Sequence, residues 1–349
     1  MITRVLQAGE GIARATELIR RGQVVAFPTE TVYGLGANAL DPAAVEKIFA
    51  AKGRPGDNPL IVHIAGLEEM APLVQGELPE AAALLAEAFW PGPLTLILPK
   101  SHRIPDVVSA GLDTVGIRMP DHPVARALIR AAGVPIAAPS ANRSGRPSPT
   151  TARHVLQDMA GRIPLILDGG SCGVGVESTV LDLCSRPARV LRPGGVTPGM
   201  IAGVLGSVDV DESVLQPLKE GETVRSPGMK YKHYAPRGRM TIVQGAGAQG
   251  EIARLYDEAE RAGQRACILA LEGNVPAYGE RRVLALGADA ESAAAKLFAA
   301  LRSMDELGIQ RIISEAVPPN GMGLAVMNRL ERAAAFDLVS LTPEEKGNC

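Results

Sequence analysis

The chain has 349 residues, 46% of them hydrophobic, 21% charged and 3% aromatic, with a formal net charge of −2. At about 150 residues per domain, two domains fit, each large enough to bury its own core. The charge balance argues against a general nucleic-acid binder, and so few rings leave little to build an RNA-stacking sheet, although a local basic cleft is compatible with both.

MITRVLQAGEGIARATELIRRG opens the chain without the apolar segment of a signal peptide and reads as an amphipathic helix. From there to about residue 205, short strands alternate with helices and Gly/Pro turns. The strands are QVVAFPT, LIVHI, LTLILPK, VGIRMP, PIAAPS, LILDGG, STVLDL and ARVLRPG. Several are continuous apolar runs, as in strands covered on both faces. DPAAVEKIFAAKG is a helix in which Asp41 caps the N-terminus, Pro42 enters the first turn and Val45, Ile48 and Phe49 share an apolar face. HPVARALIRAAG and TTARHVLQDMAG are further helices, each closed by glycine.

Residues 207–238 are polar and aperiodic and read as a linker, with two lysines, a histidine and two tyrosines concentrated in SPGMKYKHYAP. Beyond it, RMTIVQG, RACILALEG, RRVLALG and RIISEAVP alternate with three helical segments, the pattern of βαβ units on a parallel sheet. The expected architecture is α/β throughout. A twisted mixed sheet occupies residues 1–206, a linker or lid 207–238, and a smaller Rossmann-like parallel domain 239–349.

The apolar runs are too short to span a bilayer. Cys172, Cys184, Cys267 and Cys349 form no CxxC pair, which argues against a zinc or redox site and fits a reduced, cytoplasmic chain. GLGANA is a weak dinucleotide fingerprint, because the next helix starts only at Asp41 and Asp57 lies in a turn rather than at a strand end. There is no P-loop. Cys172 reads as a turn cysteine, and His63, alone in a strand, as a structural histidine.

More informative is a set of loops that combine cations with small hydroxyl side chains. They carry Thr29, Thr31 and Tyr33; Lys52, Arg54 and Asn58; Thr114 and Arg118; Ser140, Asn142, Ser144, Arg146 and Ser148; Ser178 and Thr179; and Arg192. Most lie at predicted strand ends, where open α/β sheets place ligands. Their chemistry suits an anionic ligand with phosphate oxygens. Singly, each such loop is an ordinary surface turn; together they suggest one site.

PTETVYGLG, KGRPGDNPL, WPGPLTLIL, VGIRMPDHP, APSANRSGRPSPT, ESTVLDL and LRPGG, in this order over about residues 5–200, closely resemble the YrdC-like family of threonylcarbamoyl-AMP synthases. The family's KxR…SxN signature stands here as Lys52-Gly53-Arg54 and Ser140-Ala141-Asn142. SPGMKYKHYAP with an α/β tail resembles the longer, two-domain members. The resemblance implies an α/β domain with a basic concave cleft. It also implies formation of L-threonylcarbamoyladenylate and pyrophosphate from L-threonine, bicarbonate and ATP with Mg²⁺. A separate transferase complex would then modify the tRNA adenosine next to the anticodon. Carried over residue by residue, Lys52, Arg54, Ser140 and Asn142 are expected in catalysis. Thr31, His63, Arg118 and Ser178 are expected at threonine, and Arg54, Asn58, Thr114, Ser140, Ser148, Arg192 and Tyr234 at ATP, with Tyr231 and Lys232 sharing the role of Tyr234. Protein ligands for the metal are not implied, nor is any membrane contact. Two other readings stand beside this one: a non-catalytic RNA-binding protein, and a related carbamoyl-transfer enzyme, whose added zinc-finger cysteines this chain lacks.

Overall fold

Continuous apolar strands predict a sheet covered on both faces, and the computed structural model, which describes residues 1–214, 216 and 234–341, contains one. The chain divides into two units, Met1–Tyr231 and Lys232–Cys349.

The described strands of the first unit are β1 Arg4–Gln7, β2 Val25–Phe27, β3 Gly34–Asn38, β4 Ile61–His63, β5 Leu94–Pro99, β6 Thr114–Arg118, β7 Ile136–Ala137, β8 Leu165–Asp168, β9 Thr179–Asp182, β10 Arg189–Arg192 and β11 Asp209–Val210. They form one sheet in the order β1-β8-β2-β3-β7-β4-β6-β5-β9-β10-β11. Pairing is mixed: β4 with β6 and β5 with β9 are parallel, whereas β5 with β6 and β9 with β10 are antiparallel. Side chains alternate between faces along a strand, so β2 and β8 feed two cores. Val25, Phe27, Leu165 and Leu167 pack with helices Ala8–Arg20 and Pro123–Ala132. Ala26 and Ile166 face the other side, where Val45, Ile48 and Phe49 of helix Pro42–Lys52 are buried. That helix is framed as its sequence requires. Asp41 accepts from the Ala43 and Ala44 amides at 3.0 and 3.3 Å, a cap worth about 1 kcal/mol, and Gly53 ends it at φ 63° in the left-handed region.

The second unit contains β12 Arg239–Gly245, β13 Ala266–Ala270, β14 Val283–Ala285, β15 Arg311–Glu315 and β16 Leu338–Leu341, in the order β14-β13-β15-β12-β16. Every recorded pairing in it is parallel. All five residues of β13 are buried, as expected for the middle of a parallel sheet.

Three segments differ from the sequence reading. The N-terminal stretch starts as strand β1 before helix Ala8–Arg20, because Arg4–Gln7 pairs in parallel with β8. GLGAN is strand β3, antiparallel to β2, so its glycines serve the sheet rather than a phosphate loop; a Cβ on Gly36 would meet Phe27 and Ile136 at 2.6 Å. Asp209–Val210, at the head of the segment read as linker, adds a parallel strand to β10. The expected contacts Tyr231 and Lys232 lie outside the described residues. Among the described residues no helix is long and apolar enough to cross a membrane.

Candidate active site

Helix Pro42–Lys52 delivers its last side chain to the loop after β7. Lys52 is buried, and its Nζ donates to the carbonyl oxygens of Ser140 and Asn142 at 2.5 and 2.8 Å. Burial, followed by the charge of Arg54, pushes the ammonium well below the ordinary lysine range, while Asp158 and Glu177 pull the other way. The loop is fixed from inside. Ser140 Oγ donates to Asn142 Oδ1 at 2.5 Å, and Asn142 Nδ2 donates to the carbonyls of Arg143 and Arg146, both at 2.9 Å. Backbone bonds from Ala141 to Tyr33 (2.8 Å) and from Ser144 to Lys52 (3.2 Å) tie the same loop to the residue just before β3 and to the helix end. The two halves of the KxR…SxN signature are thus one hydrogen-bonded body. Arg54 folds over its own turn, donating to Asn58 O at 2.8 Å with its guanidinium carbon 5.6 Å from the Phe49 ring centre. The Asn58 amide is fully buried, and neither Nδ2 nor Oδ1 has a hydrogen-bond partner among the described residues.

A second group forms around Arg118, the last residue of β6. Parallel register sets it opposite His63 of β4. Its Nε donates to Gly92 O at 3.2 Å and its Nη1 to Thr31 Oγ1 at 3.0 Å, while Nη2 lies 2.6 Å from Oε1 of Glu30. Thr29 builds the turn that holds Glu30 and Thr31. Its hydroxyl donates to Val32 O at 2.6 Å and accepts from the Thr31 and Val32 amides at 3.2 Å. His63 is buried, with Nδ1 3.1 Å from Ile61 O and its ring edge-on to Phe27. Burial, helped by the Arg118 charge, lowers it to about 3 against the backbone contacts of Ile136 and Ile61, so the ring is neutral at pH 7. Cys172 is buried and its thiol is pushed up to about 12, first by burial and then by Glu30, which fits a turn cysteine and not a nucleophile.

The third group sits where β9, β10 and β5 adjoin. Arg192 donates to the carbonyl and hydroxyl oxygens of Ser178 at 3.0 and 3.1 Å, and Ser178 Oγ lies 2.8 Å from Thr95 Oγ1. A Cβ on Gly194 would come within 2.5 Å of the backbone at Glu177 and Thr179, so only glycine lets the chain after Arg192 approach this closely. Ser148 Oγ donates to Glu177 Oε1 at 2.5 Å. Thr114, Gly116 and Arg118 alternate along β6 and share a face. Thr114 borders an open pocket of about 290 Å³ together with Ile97, Leu112 and Asp182; it also faces a smaller space with Thr95, Gly116 and Val180.

The structure therefore joins Lys52, Ser140 and Asn142; Thr31, His63 and Arg118; and Ser178 with Arg192. Arg54 and Asn58 meet in their own turn, and Ser148 and Thr114 each stand beside partners not singled out from sequence. Tyr234 belongs to the second unit, buried with its ring 5.0 Å from Phe298 and the Arg329 guanidinium 5.9 Å from its centre. Sequence reasoning missed Glu30, Thr95, Asp158 and Glu177. Only Glu30 left a signal, an acid inside PTETVYGLG, among hydroxyls that face cations.

Known proteins resemble this chain over nearly its whole length. A family model described as telomere recombination matches residues 17–194, and one described as threonylcarbamoyl-AMP synthase, C-terminal domain, matches residues 196–335. The threonylcarbamoyl-AMP synthase of Pyrococcus abyssi is 48% identical over 329 residues, 94% of this chain and 95% of that one. Its Bacillus subtilis counterpart is 51% identical over 326 residues, 93% of this chain and 92% of that one. The crystal structure of P. abyssi Sua5 complexed with L-threonine superposes with a TM-score of 0.91 at 46% identity, over 98% of both chains.

Proposed function

The chain belongs to the threonylcarbamoyl-AMP synthase family, and we propose that it makes threonylcarbamoyl-AMP and pyrophosphate from L-threonine, bicarbonate and ATP, for modification of tRNA by a separate transferase. The observation that carries this reading is the Ser178–Arg192 contact. One residue is expected at threonine and the other at the nucleotide, so their contact supports two ligand sets that meet where a carbamate must reach an α-phosphorus.

The reaction asks little of protein nucleophiles. The threonine amine and bicarbonate give a carbamate and water. A carbamate oxygen then attacks the α-phosphorus, and pyrophosphate departs. Both reactants are anions, so the protein's part is to position them against their mutual repulsion. In this reading Arg118 holds the threonine carboxylate beside Thr31. His63, kept neutral, offers a polar contact without adding charge, and Ser178 completes the threonine site. Lys52 and Arg54 face the phosphate oxygens, on a frame made by Ser140 and Asn142. An anion opposite Lys52 would favour the ammonium that burial now disfavours. Asn58, Thr114, Ser148 and Arg192 contact ATP, and the unspent hydrogen-bonding capacity of the Asn58 amide supports that role. No group of three His, Cys, Asp or Glu among the described residues is arranged to hold a metal ion, so Mg²⁺ would arrive on the ATP phosphates. It would supply charge neutralisation there. Cys172, Cys184 and Cys267 are unpaired, which supports a reducing, cytoplasmic setting.

The test is pyrophosphate release from ATP, Mg²⁺ and bicarbonate with and without L-threonine, with the adenylate identified by mass. Threonine-dependent release is expected. Its absence from a folded, ATP-binding preparation would overturn the reading.

A further inference from the structure

The Arg118–Glu30 pair is built unlike a structural ion pair. Both side chains are largely withdrawn from water, at 4% and 13% exposure. A pair buried to this degree recovers its desolvation cost only through well-aligned hydrogen bonds that use up the remaining donors and acceptors. Here Nη2 stands 2.6 Å from Oε1 off hydrogen-bond alignment, and neither Glu30 oxygen accepts a hydrogen bond among the described residues. Arg118 is held all the same. Its Nε and Nη1 are committed to Gly92 O and Thr31 Oγ1, so its orientation does not depend on Glu30. Glu30 in turn is presented by a turn that the Thr29 hydroxyl closes and that a backbone bond from Val174 to Glu30 O pins at 2.8 Å. The result is a preset cation and a preset anion side by side, each with capacity unspent.

That is the complement of an amino-acid zwitterion, whose carboxylate and ammonium sit on adjacent atoms of one α-carbon. We propose that Glu30 is the ammonium-recognising residue of the threonine site: the substrate enters between Glu30 and Arg118, giving its carboxylate to Arg118 and its α-ammonium to Glu30. One misaligned contact is then replaced by two charge-assisted ones. A ligand with a carboxylate and no ammonium gains only half of this and sets its charge against that of Glu30, which disfavours it. Glu30 therefore acts as a specificity-determining and positioning residue that selects α-amino acids over α-hydroxy acids of the same shape. The inference rests on the reading that threonine lies against Arg118.

The test compares the affinities of L-threonine and of the 2,3-dihydroxybutanoate of matching configuration, which replaces the ammonium by a hydroxyl, for the wild-type protein and for Glu30→Gln. Wild type is expected to prefer threonine by about 10,000-fold, as sites whose polar partners would be left unpaired do. In Glu30→Gln the preference should fall at least about tenfold, through weaker threonine binding with the dihydroxy acid bound equally well or better. An unchanged preference, including equal losses for both ligands, means that Glu30 is structural and overturns the proposal. Should Glu30→Gln fail to fold, Glu30→Asp keeps the charge on a shorter arm. It is expected to bind threonine more weakly with the dihydroxy acid unaffected, and equal losses again overturn the proposal. Arg118→Gln separates the two levels of the argument. If it leaves threonine affinity intact, the threonine reading itself is wrong; if it abolishes binding while the preference survives in Glu30→Gln, only the role of Glu30 is wrong.

Discussion

Two glutamates largely withdrawn from water, one in each unit, show how differently the same side chain can be used. Glu315, at the end of β15, accepts from the Leu271 amide and Asn274 Nδ2, both at 3.0 Å, and from the Tyr278 hydroxyl at 2.5 Å. Glu30 in the first unit has an ion pair and no hydrogen bond among the described residues. A buried carboxylate with three donors is a finished structural element, since each bond removes a desolvation cost that folding would otherwise carry. A largely buried carboxylate with none is under-satisfied, and its remaining capacity points to something that arrives later. Asn58, fully buried and also without hydrogen bonds for its amide, belongs with Glu30. Lys52 is intermediate: two of its three donors are used, yet its environment disfavours the charge it carries.

Substitutions can break this contrast, beginning with the largest effect. Lys52→Ala is expected to lower the rate of threonine-dependent pyrophosphate release by about 100- to 1000-fold, the usual cost of one preorganised donor, while far-UV circular dichroism stays the same; full activity would remove Lys52 from the chemistry. Glu315→Ala should cost roughly 3 kcal/mol of stability by stranding three donors, seen in urea unfolding, with threonine affinity at 25 °C unaltered. Loss of threonine affinity in a folded Glu315→Ala protein would erase the distinction between the two glutamates.

Acid supplies the next test. His63 is lowered from its ordinary value near 6.5 to about 3 in the folded protein. Between those values the unfolded chain binds more protons, so stability is full above pH 6.5 and is lost as pH falls. The slope is at most about 1.4 kcal/mol per pH unit. Wild type should lose about 2 kcal/mol more than His63→Gln between pH 6.5 and 5 by urea titration; parallel curves would mean that His63 is not held neutral. The smallest effect is the most pointed. Asn58→Leu removes an amide without partners, so the fold should hold or gain about 1 kcal/mol, while the KM for ATP rises at least about tenfold. A destabilised variant with unchanged KM would make Asn58 an ordinary core residue.

Periodicity made much of this molecule legible. Asp41, Pro42 and the Val45, Ile48, Phe49 face specify their helix, and the structure has it with the same cap and the same buried side. The alternation after residue 239 reads directly as the parallel sheet. What escaped were short strands whose pairing is decided by distant neighbours. Arg4–Gln7 depends on β8, about 160 residues away, and GLGAN reads as a loop until β2 and β7 flank it. Within the site, residue types and motif resemblance identified the cations and hydroxyls but not their partners. Glu30 and Glu177 look like solvated acids in sequence, because burial is set by strands that the local pattern does not contain. The local pattern alone also favoured a structural role for His63, and only the motif resemblance put it at threonine. The shared register with Arg118 places it in the same group as the expected threonine contacts.

The grip of Lys52 on the carbonyls of residues 140 and 142 spans separations of 88 and 90 positions. Closing a segment of that length is entropically costly and is offset only once the intervening strands have paired. The order of synthesis then matters. A nascent chain that has emerged only to residue 130 already carries Lys52 and Arg54 but has no frame to hold them. If Lys52 and Arg54 hold phosphate as proposed, such a fragment would present loose cations without their frame, and a truncated or half-made product is not expected to consume ATP. In the proposed reading, competence would arrive late in translation of the first unit, once Arg192 at the end of β10 has joined the sheet beside Ser178.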